Sequence, residues 1–471
     1  MVVGDDKFKL AIGNQQSAMT ATLLEKYDVP GPRYTSYPTI LHWSSPPSID
    51  EWVQSVRESL RNSERLGTGA AIYIHIPYCR SLCTYCGCNS RITTKTSVAE
   101  PYLRTVLREW DIYRQQLGDL RVPLSELHLG GGTPTFLSPA ELEELISGIL
   151  QHVHTTNDAE FSIESDPRVT TKEHLERLAQ LGFKRLSLGV QDFDPLVQLA
   201  VNRVQSEAQV AKVTDTARAF GFTSVNYDLI YGLPFQTLQS VEMTVAAVMK
   251  QRPDRIAFYG YAHVPWVKPG QRHFTENDLP VGSAKRRLYE RGRELLLAAG
   301  YREIGMDHFA LETDSLWPAA TSGKLHRNFM GYTSRFVMPL IGLGVSSISD
   351  SWDMFAQNEK EIETYTERVS RGELPISRGH KLSFEDRVLR RHILNLMTRF
   401  ETNWNDSDAY VPYLQHITER LGEFRRDGLL NCTGRQCEVT DSGRTFLRNI
   451  CMAFDAHLAR DNGSKQFSRT I

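Results

Sequence analysis

The sequence predicts an α/β fold built around a parallel sheet, and three observations carry that prediction. Between about residues 70 and 265, short β-rich runs alternate with amphipathic helical stretches. The helical stretches carry start and stop signals at their ends. Chemically unusual residues follow the β runs rather than precede them, as they do where function sits at the C-terminal ends of parallel strands. Such a sheet is either open and doubly wound or closed towards a barrel.

The β runs are Ala71–Ile76, Glu126–Leu129, Phe161–Glu164, Arg185–Val190, Ser224–Leu229 and Arg255–Tyr261. Ser138-Pro139-Ala140-Glu141 reads as a capping box with proline at the first helical position. Thr170 and Glu173 predict a second box, after which Leu175, Leu178 and Leu181 line one face until Gly182. Val210, Val213, Ala217 and Phe220 form the next stripe, closed by Gly221, and a further helix runs from about Ser283 to Ala299 before Gly300. The stretch before Ser48 reads as an irregular arm. From about Ser377 the character changes: a basic helical run (Arg387, Arg390, Arg391), a helix over Tyr413–Arg426, a turn-rich ribbon through Gly434 and a last helix from about Ser442. That order is winged-helix-like. A structural cap is favoured over a nucleic-acid-binding module, because fold does not fix function.

Composition narrows the function classes. The 471 residues suggest two to four domains. Lys and Arg total 54 against 56 acids, a net charge of −2 that argues against a mainly nucleic-acid-binding protein. No stretch is long and apolar enough to span a bilayer, and the start MVVGDDKFKLAIGNQQ lacks a signal-peptide core. The chain reads as soluble and cytoplasmic, where thiols stay reduced.

Cysteine is the outlier. Of 7 cysteines, Cys79, Cys83, Cys86 and Cys88 fall within ten residues, while Cys432, Cys437 and Cys451 lie near the C-terminus. Structural zinc takes ligand pairs from separated turns. One short loop suits three thiolates on a [4Fe–4S] cluster better, leaving one iron open. The spacing favours iron–sulfur over zinc, and four buried structural cysteines are the weakest reading.

The spacing Cys79-x3-Cys83-x2-Cys86 after the first strand resembles the radical S-adenosylmethionine enzymes. Tyr73–Cys79, Cys86-Gly87-Cys88-Asn89 and Gly31–Pro38 narrow the resemblance to the oxygen-independent coproporphyrinogen III oxidases. It continues through Leu129–Thr135, Ser162–Arg168, Arg185–Phe193, Asn226–Pro234, Gly305–Phe309, His326–Thr333, Gly342–Ser349, Arg448–Met452 and Gln466–Arg469, nearly the whole chain. One departure is Tyr85, where relatives often carry phenylalanine; the aromatic face survives.

The resemblance implies a partial (β/α)6 TIM-like barrel. An N-terminal arm (1–60) would precede the core barrel (61–300), followed by a barrel-associated extension (301–376) and a mostly helical, winged-helix-like domain (377–471). Cys79, Cys83 and Cys86 would hold the cluster. Cys88 would not be a ligand; it is either the one possible catalytic residue or a small buried thiol. Tyr73, Gly131, Glu164 and Ile348 would meet the cluster-bound S-adenosylmethionine, with Glu164 on the ribose hydroxyls. Tyr85, Gly132, Thr133, Gln191, Arg203, Asp228 and Ala262 match a second S-adenosylmethionine site. Taken alone, Asp228 reads as a helix cap, Gln191 as satisfying loop backbone and Arg203 as a surface ion pair. The implied reaction turns two propionates of coproporphyrinogen III into vinyl groups. A 5′-deoxyadenosyl radical takes a β-hydrogen, and the substrate radical loses CO2 and one electron to an acceptor. The product is protoporphyrinogen IX. A flavodoxin or ferredoxin would supply electrons to a monomer that needs neither membrane nor nucleic acid. Arg33 and Arg327 are candidates for substrate carboxylates; His263 and His308 read as satisfied core histidines.

Three alternatives compete. A heme chaperone of the same superfamily typically lacks the fourth cysteine and the long arm, so Cys88 and Arg33–Pro38 oppose it. A radical heme methyltransferase would also use two S-adenosylmethionine molecules. A DNA-binding, iron-sensing regulator is opposed by the near-neutral charge and the motifs at the strand ends.

Overall fold

The computed structural model describes residues 22–43, 45–415, 417–461 and 467–470. The first part of the expected arm, and Gln466 of the last motif, lie outside them. Six parallel strands form where the sequence places them: β1 (Ala70–Ile76), β2 (Pro123–Gly131), β3 (His154–Ser165), β4 (Arg185–Gln191), β5 (Ser224–Tyr231) and β6 (Arg255–Gly260). Helices cross between them, so the chain is α/β, and the sheet stays open as in a partial barrel.

The extension after residue 300 continues this sheet at both edges. β7 (Arg302–Ile304) and β8 (His308–Ala310) add antiparallel strands beyond β6. On the other side β9 (Leu340–Leu343) pairs parallel with β1, followed by antiparallel β10 (Ile348–Asp350), β11 (Met354–Asn358) and β12 (Ile376–Lys381). The order is β12-β11-β10-β9-β1-β2-β3-β4-β5-β6-β8-β7.

Alternation along the strands decides what faces the inside. Ile72, Ile74, Leu127, Leu129, Leu188, Val190, Val225 and Leu229 are buried in the main core against the outer helices. The intervening His128, Ser162, Glu164, Ser187, Asn226 and Asp228 line two inner cavities. Parallel strands are usually apolar on both faces. Here the concave face is polar, which reserves it for a ligand. The hairpin His326–Asn328 and Gly331–Thr333 closes the N-terminal end: Thr333 bonds Glu126, Ser334 donates to Glu160 (3.1 Å) and Arg335 pairs with Asp158 (2.6 Å).

The Ser138 capping box forms as expected. The second box is displaced by one residue: Thr171, not Thr170, caps the helix Lys172–Gln180, with His174 in the position expected for Glu173. The Thr170 hydroxyl is already committed to the Asp166 carbonyl (2.9 Å) and to Thr135 (3.0 Å). Helix Ile49–Leu66 buries Trp52, Val56 and Leu60 in the main core, so a boundary at residue 60 cuts an element that belongs to the barrel. A boundary at 377 likewise falls inside β12.

The C-terminal region forms its own core, which includes Tyr34 and Tyr37 of the arm. Its basic helix, Phe384–Arg399, is no open cationic face. Arg387 pairs with Asp353 (3.1 Å), Arg391 with Asp408 (2.5 Å) and Arg390 with Asp350. Leu430–Thr433 and Gln436–Val439 form the ribbon, joined by Glu401–Asn403. Cys432 and Cys437 stand opposite one another across it as a disulfide, which corrects the expectation that all thiols stay reduced. Cys451 is a buried free thiol.

Candidate active site

The loop after β1 is pinned at its base. Tyr78–Cys79 pairs with Arg91–Ile92, with Arg91 N–H donating to the Pro77 carbonyl (2.7 Å) and Thr93 N–H to the Cys79 carbonyl (2.9 Å). Cys79, Cys83 and Cys86 all face one cavity of about 390 Å3 at the C-terminal ends of the strands. Each sulfur has a donor: Thr133 Oγ1 on Cys79 (3.4 Å), Arg203 Nη1 (3.4 Å) and Arg168 Nη2 (3.6 Å) on Cys83, and the Cys88 backbone N–H on Cys86 (3.4 Å). Burial pushes the Cys79 thiol up to about 11. A hydrogen bond from the Cys88 thiol is the largest influence on Cys86 and pulls it below the usual thiol range. Three convergent sulfurs with cationic and amide donors fit a three-thiolate cluster. Cys88 lines the same cavity and is exposed, which corrects the expectation of a small buried thiol; it meets Cys86 through both its thiol and its backbone N–H.

The glycines after β2 make a close-packed floor. A Cβ on Gly131, at φ +111°, would lie 2.7 Å from the His75 ring, and one on Gly132 would lie 2.9 Å from the Pro77 and Tyr78 carbonyls. Gly130 sits against Glu164 and Tyr73. Glu164 accepts from Gly131 N–H (3.1 Å), and His128 Nε2 lies 3.5 Å from its other oxygen. Burial pushes the Glu164 carboxyl up, but His128 and the Gly131 N–H outweigh it and the net shift is downward, so Glu164 is ionised.

His75 was not singled out from the sequence, yet it organises this corner. Its Nε2 lies 2.9 Å from the Asn89 carbonyl, which can only accept; Nε2 therefore carries the proton and Nδ1 accepts from Tyr73 OH (3.1 Å). Burial pushes its pKa down, keeping the ring neutral. The signal was available, since His75 follows Tyr73 on the inner face of β1 at period two.

Across the cavity, Arg203 is buried rather than a surface ion pair. It donates to the Gly189 carbonyl (2.6 and 3.1 Å), to Asp166 (3.3 Å) and to Cys83. Arg168 clamps the same Asp166 through two nitrogens (3.0 and 2.6 Å). Gln191 ends β4 at φ +68°, a conformation uncommon for a non-glycine residue. Asp192 beside it is structural, held by Gln236, Thr244 and Asp194 N–H. Asp228 caps no helix. It accepts from Ser187 Oγ (3.0 Å) and Asn226 Nδ2 (2.8 Å), and burial pushes its carboxyl up to about 7.

That shift sets a pH dependence. The unfolded chain releases this proton near the ordinary carboxylate pKa, whereas the folded chain keeps it until about 7. The unfolded state therefore holds fewer protons between those values, and stability falls as pH rises through them. Asp228→Asn is expected to gain stability over the wild type at pH 8 but not at pH 4, by a few kcal/mol at most, given about 1.4 kcal/mol per tenfold change in proton affinity. Urea unfolding at the two pH values checks this; an equal offset at both would remove Asp228 as the cause.

Of the expected site residues, Tyr85, Gly131, Gly132, Thr133, Glu164, Gln191, Arg203 and Asp228 line the cavity. Tyr73, Ala262 and Ile348 do not: Tyr73 lies behind Gly130, the Ala262 carbonyl is taken by Gln271 Nε2 (3.2 Å), and Ile348 packs beside Trp43 and Phe355. Arg33 bonds the Gly260 carbonyl and lines a separate cavity of about 480 Å3 between barrel edge and cap. Arg327 is buried over the Tyr332 ring (4.8 Å), with Nε and Nη1 lacking hydrogen-bond partners among the described residues. His308 is satisfied by the Met306 carbonyl (2.9 Å) and Tyr259 OH (3.2 Å), and His263 by Tyr261 OH (3.0 Å).

Residues 73–248 match the family model of the radical SAM superfamily. A curated oxygen-independent coproporphyrinogen III oxidase of Pseudomonas aeruginosa is 41% identical across 96% of this chain and 98% of its own length. The chain belongs to this oxidase family. The Escherichia coli oxidase is 39% identical, across 97% of this chain and 99% of its own length. A solved coproporphyrinogen III oxidase from Escherichia coli, described as a radical SAM enzyme, superposes with a TM-score of 0.84 at 38% identity. It covers 90% of this chain and 98% of that one. Members of this oxidase family work with a [4Fe–4S] cluster and S-adenosylmethionine, and the three sulfurs beside the glycine floor are suited to both.

Proposed function

We propose that this chain is an oxidoreductase of heme biosynthesis. It carries out the oxygen-independent oxidative decarboxylation of two propionates of coproporphyrinogen III, giving protoporphyrinogen IX. The observation that carries the reading is end-to-end similarity to curated oxidases, joined to three cysteine sulfurs facing one polar cavity at the strand ends. When bound, the cluster supplies the electron that converts S-adenosylmethionine into methionine and a 5′-deoxyadenosyl radical. The chain's own residues hold and orient. Cys79, Cys83 and Cys86 are the cluster ligands in this reading. Ionised Glu164 accepts from ribose hydroxyls, the glycine floor admits bare backbone, and Arg203 and Asp228 flank a second S-adenosylmethionine position. The polar inner cavity of about 220 Å3, which shares Glu164, Ser187, Asp228 and Tyr259 with the larger one, supports room for more than one ligand.

The domain division we favour is an arm up to Ser48, a barrel with its sheet extension, and a C-terminal cap from the helix Phe384–Arg399. The pairing of the cap arginines supports a structural cap over nucleic-acid binding. Exposed Leu82 and Ile92 beside Arg80 and Lys95 at the cysteine loop support docking of a flavodoxin or ferredoxin. Among the described residues no helix is long and apolar enough to cross a membrane; a cytoplasmic monomer is part of the proposed reading. Cys88 and the arm, stitched to the cap through Tyr34 and Arg448, favour the oxidase over a heme chaperone or heme methyltransferase.

The test is anaerobic reconstitution and reduction with S-adenosylmethionine and coproporphyrinogen III. A product lighter by CO2 and two hydrogens at each of two propionates, with 5′-deoxyadenosine, is expected. Cleavage of S-adenosylmethionine with an untouched porphyrinogen overturns the assignment.

A further inference from the structure

Far from the cysteine loop, two histidines and one aspartate converge where the sheet meets the cap. His380 lies on β12, Asp386 in the first turn of the helix Phe384–Arg399, and His457 on the short helix Ala456–Arg460. One ligand atom from each lies within 4.8 Å of the others. His380 Nε2 is 3.1 Å from Asp386 Oδ2, and His457 Nε2 is 2.7 Å from Asp386 Oδ1.

We propose that His380, Asp386 and His457 bind one divalent cation of the zinc type and so clamp the cap to the edge of the sheet. Two imidazoles and a carboxylate are ligands such a cation takes, and three protein ligands leave a fourth position for water. The carboxylate is already oriented for this role. Ser383 N–H (2.9 Å) and Oγ (2.8 Å) hold Oδ2, the outer-shell support that metal-binding carboxylates require, and leave Oδ1 directed at His457. Access is open on the histidine side: the side chains of His380 and His457 are 18% and 25% exposed, that of Asp386 5%.

A cation takes the Nε2 lone pairs. The proton each neutral ring now donates from Nε2 moves to Nδ1, and a ring that starts protonated releases one proton to solvent. The three groups would turn from hydrogen bonding one another to face a cation at bonding distances of about 2.0–2.2 Å. The clamp would also reach the arm, because the rings of His42 and Tyr37 lie 5.5 and 5.9 Å from that of His457.

The competing description is a clamp made of hydrogen bonds alone, and one experiment separates them. Protein carrying its cluster, so that the loop cysteines are occupied, is incubated anaerobically with ZnCl2, desalted and analysed for zinc and iron. One zinc per chain, unchanged iron and a melting temperature several degrees higher are expected. His380→Gln and His457→Gln keep an amide N–H for Asp386 but lose the imidazole ligand, so they should fold, bind no zinc and show no rise. Less than half an equivalent in the wild type, or a full equivalent in both variants, overturns the proposal. If a variant fails to fold, zinc-edge X-ray absorption of the wild type decides. Nitrogen and oxygen neighbours alone support the site; sulfur near 2.3 Å places the zinc on cysteine and overturns it.

Discussion

Cys83→Ser is expected to abolish iron–sulfur absorbance, bring bound iron close to zero and stop 5′-deoxyadenosine formation. Cys83 lies at the centre of the loop, and its sulfur faces two guanidinium groups, Arg203 at 3.4 Å and Arg168 at 3.6 Å. A cysteine sulfur is a soft ligand that suits iron–sulfur chemistry, whereas a serine hydroxyl is a hard, weak ligand for this iron centre. With only two thiolates left on one loop, the cluster has no third anchor. Cys88→Ser is the matched control. Cys88 reaches Cys86 through its backbone N–H, which serine retains, so cluster absorbance should persist. An unchanged spectrum in Cys83→Ser removes Cys83 from the ligand set. Loss of the cluster in Cys88→Ser argues instead for a four-cysteine site.

The framework of this site was legible because parallel α/β folds put their chemistry at one end. All six core strands lie where β-rich runs placed them, and the cysteine loop, the triple glycine, Glu164 and Asp228 follow those runs into one cavity. What escaped the reading had identifiable causes. His75, Ser187 and Asn226 belong to the same inner face as Tyr73 and Asp228, at period two. Their signal is the period-two alternation inside the strands rather than a motif at the strand ends. The Thr170 and Thr171 pair shows a different limit. Either residue satisfies the capping pattern, and only the tertiary demand of Asp166 and Thr135 on the Thr170 hydroxyl chooses between them.

The extension was harder to read for a physical reason. Strands of three to six residues, such as Arg302–Ile304 and Ile348–Asp350, carry too little periodicity to announce themselves, and their pairing with the sheet edges is fixed only by the assembled barrel. The same holds for the basic run of the cap. Arg387, Arg390 and Arg391 look like a cationic face until the fold brings Asp350 at the end of β10, Asp353 just after it and Asp408 of the cap itself against them. The disulfide between Cys432 and Cys437 likewise depends on the hairpin register, which the sequence leaves open.

Arg390→Leu is expected to cost about 3–5 kcal/mol of stability, the range for removing one member of a buried ion pair. The Arg390 and Asp350 side chains are 5% and 2% exposed. Arg390 grips both carboxylate oxygens of Asp350 and the Trp352 carbonyl (3.0 Å), while its planar cation lies 4.3 Å from the Trp352 ring and 4.8 Å from that of Phe355. Leucine fills part of the space but leaves the Asp350 carboxylate, among the described residues, with the Trp352 N–H (2.8 Å), too little to offset an unpaired buried charge. The pair also joins the first helix of the cap to β10, so its loss should loosen the cap before the barrel unfolds. Urea unfolding monitored by tryptophan fluorescence checks the magnitude. Arg390→Leu combined with Asp350→Leu should recover much of the loss, since the cost lies in stranding a charge rather than in losing a favourable bond. If the double variant is as unstable as the single one, the packing of the guanidinium on Trp352 and Phe355, rather than its charge, is what holds the cap to the sheet.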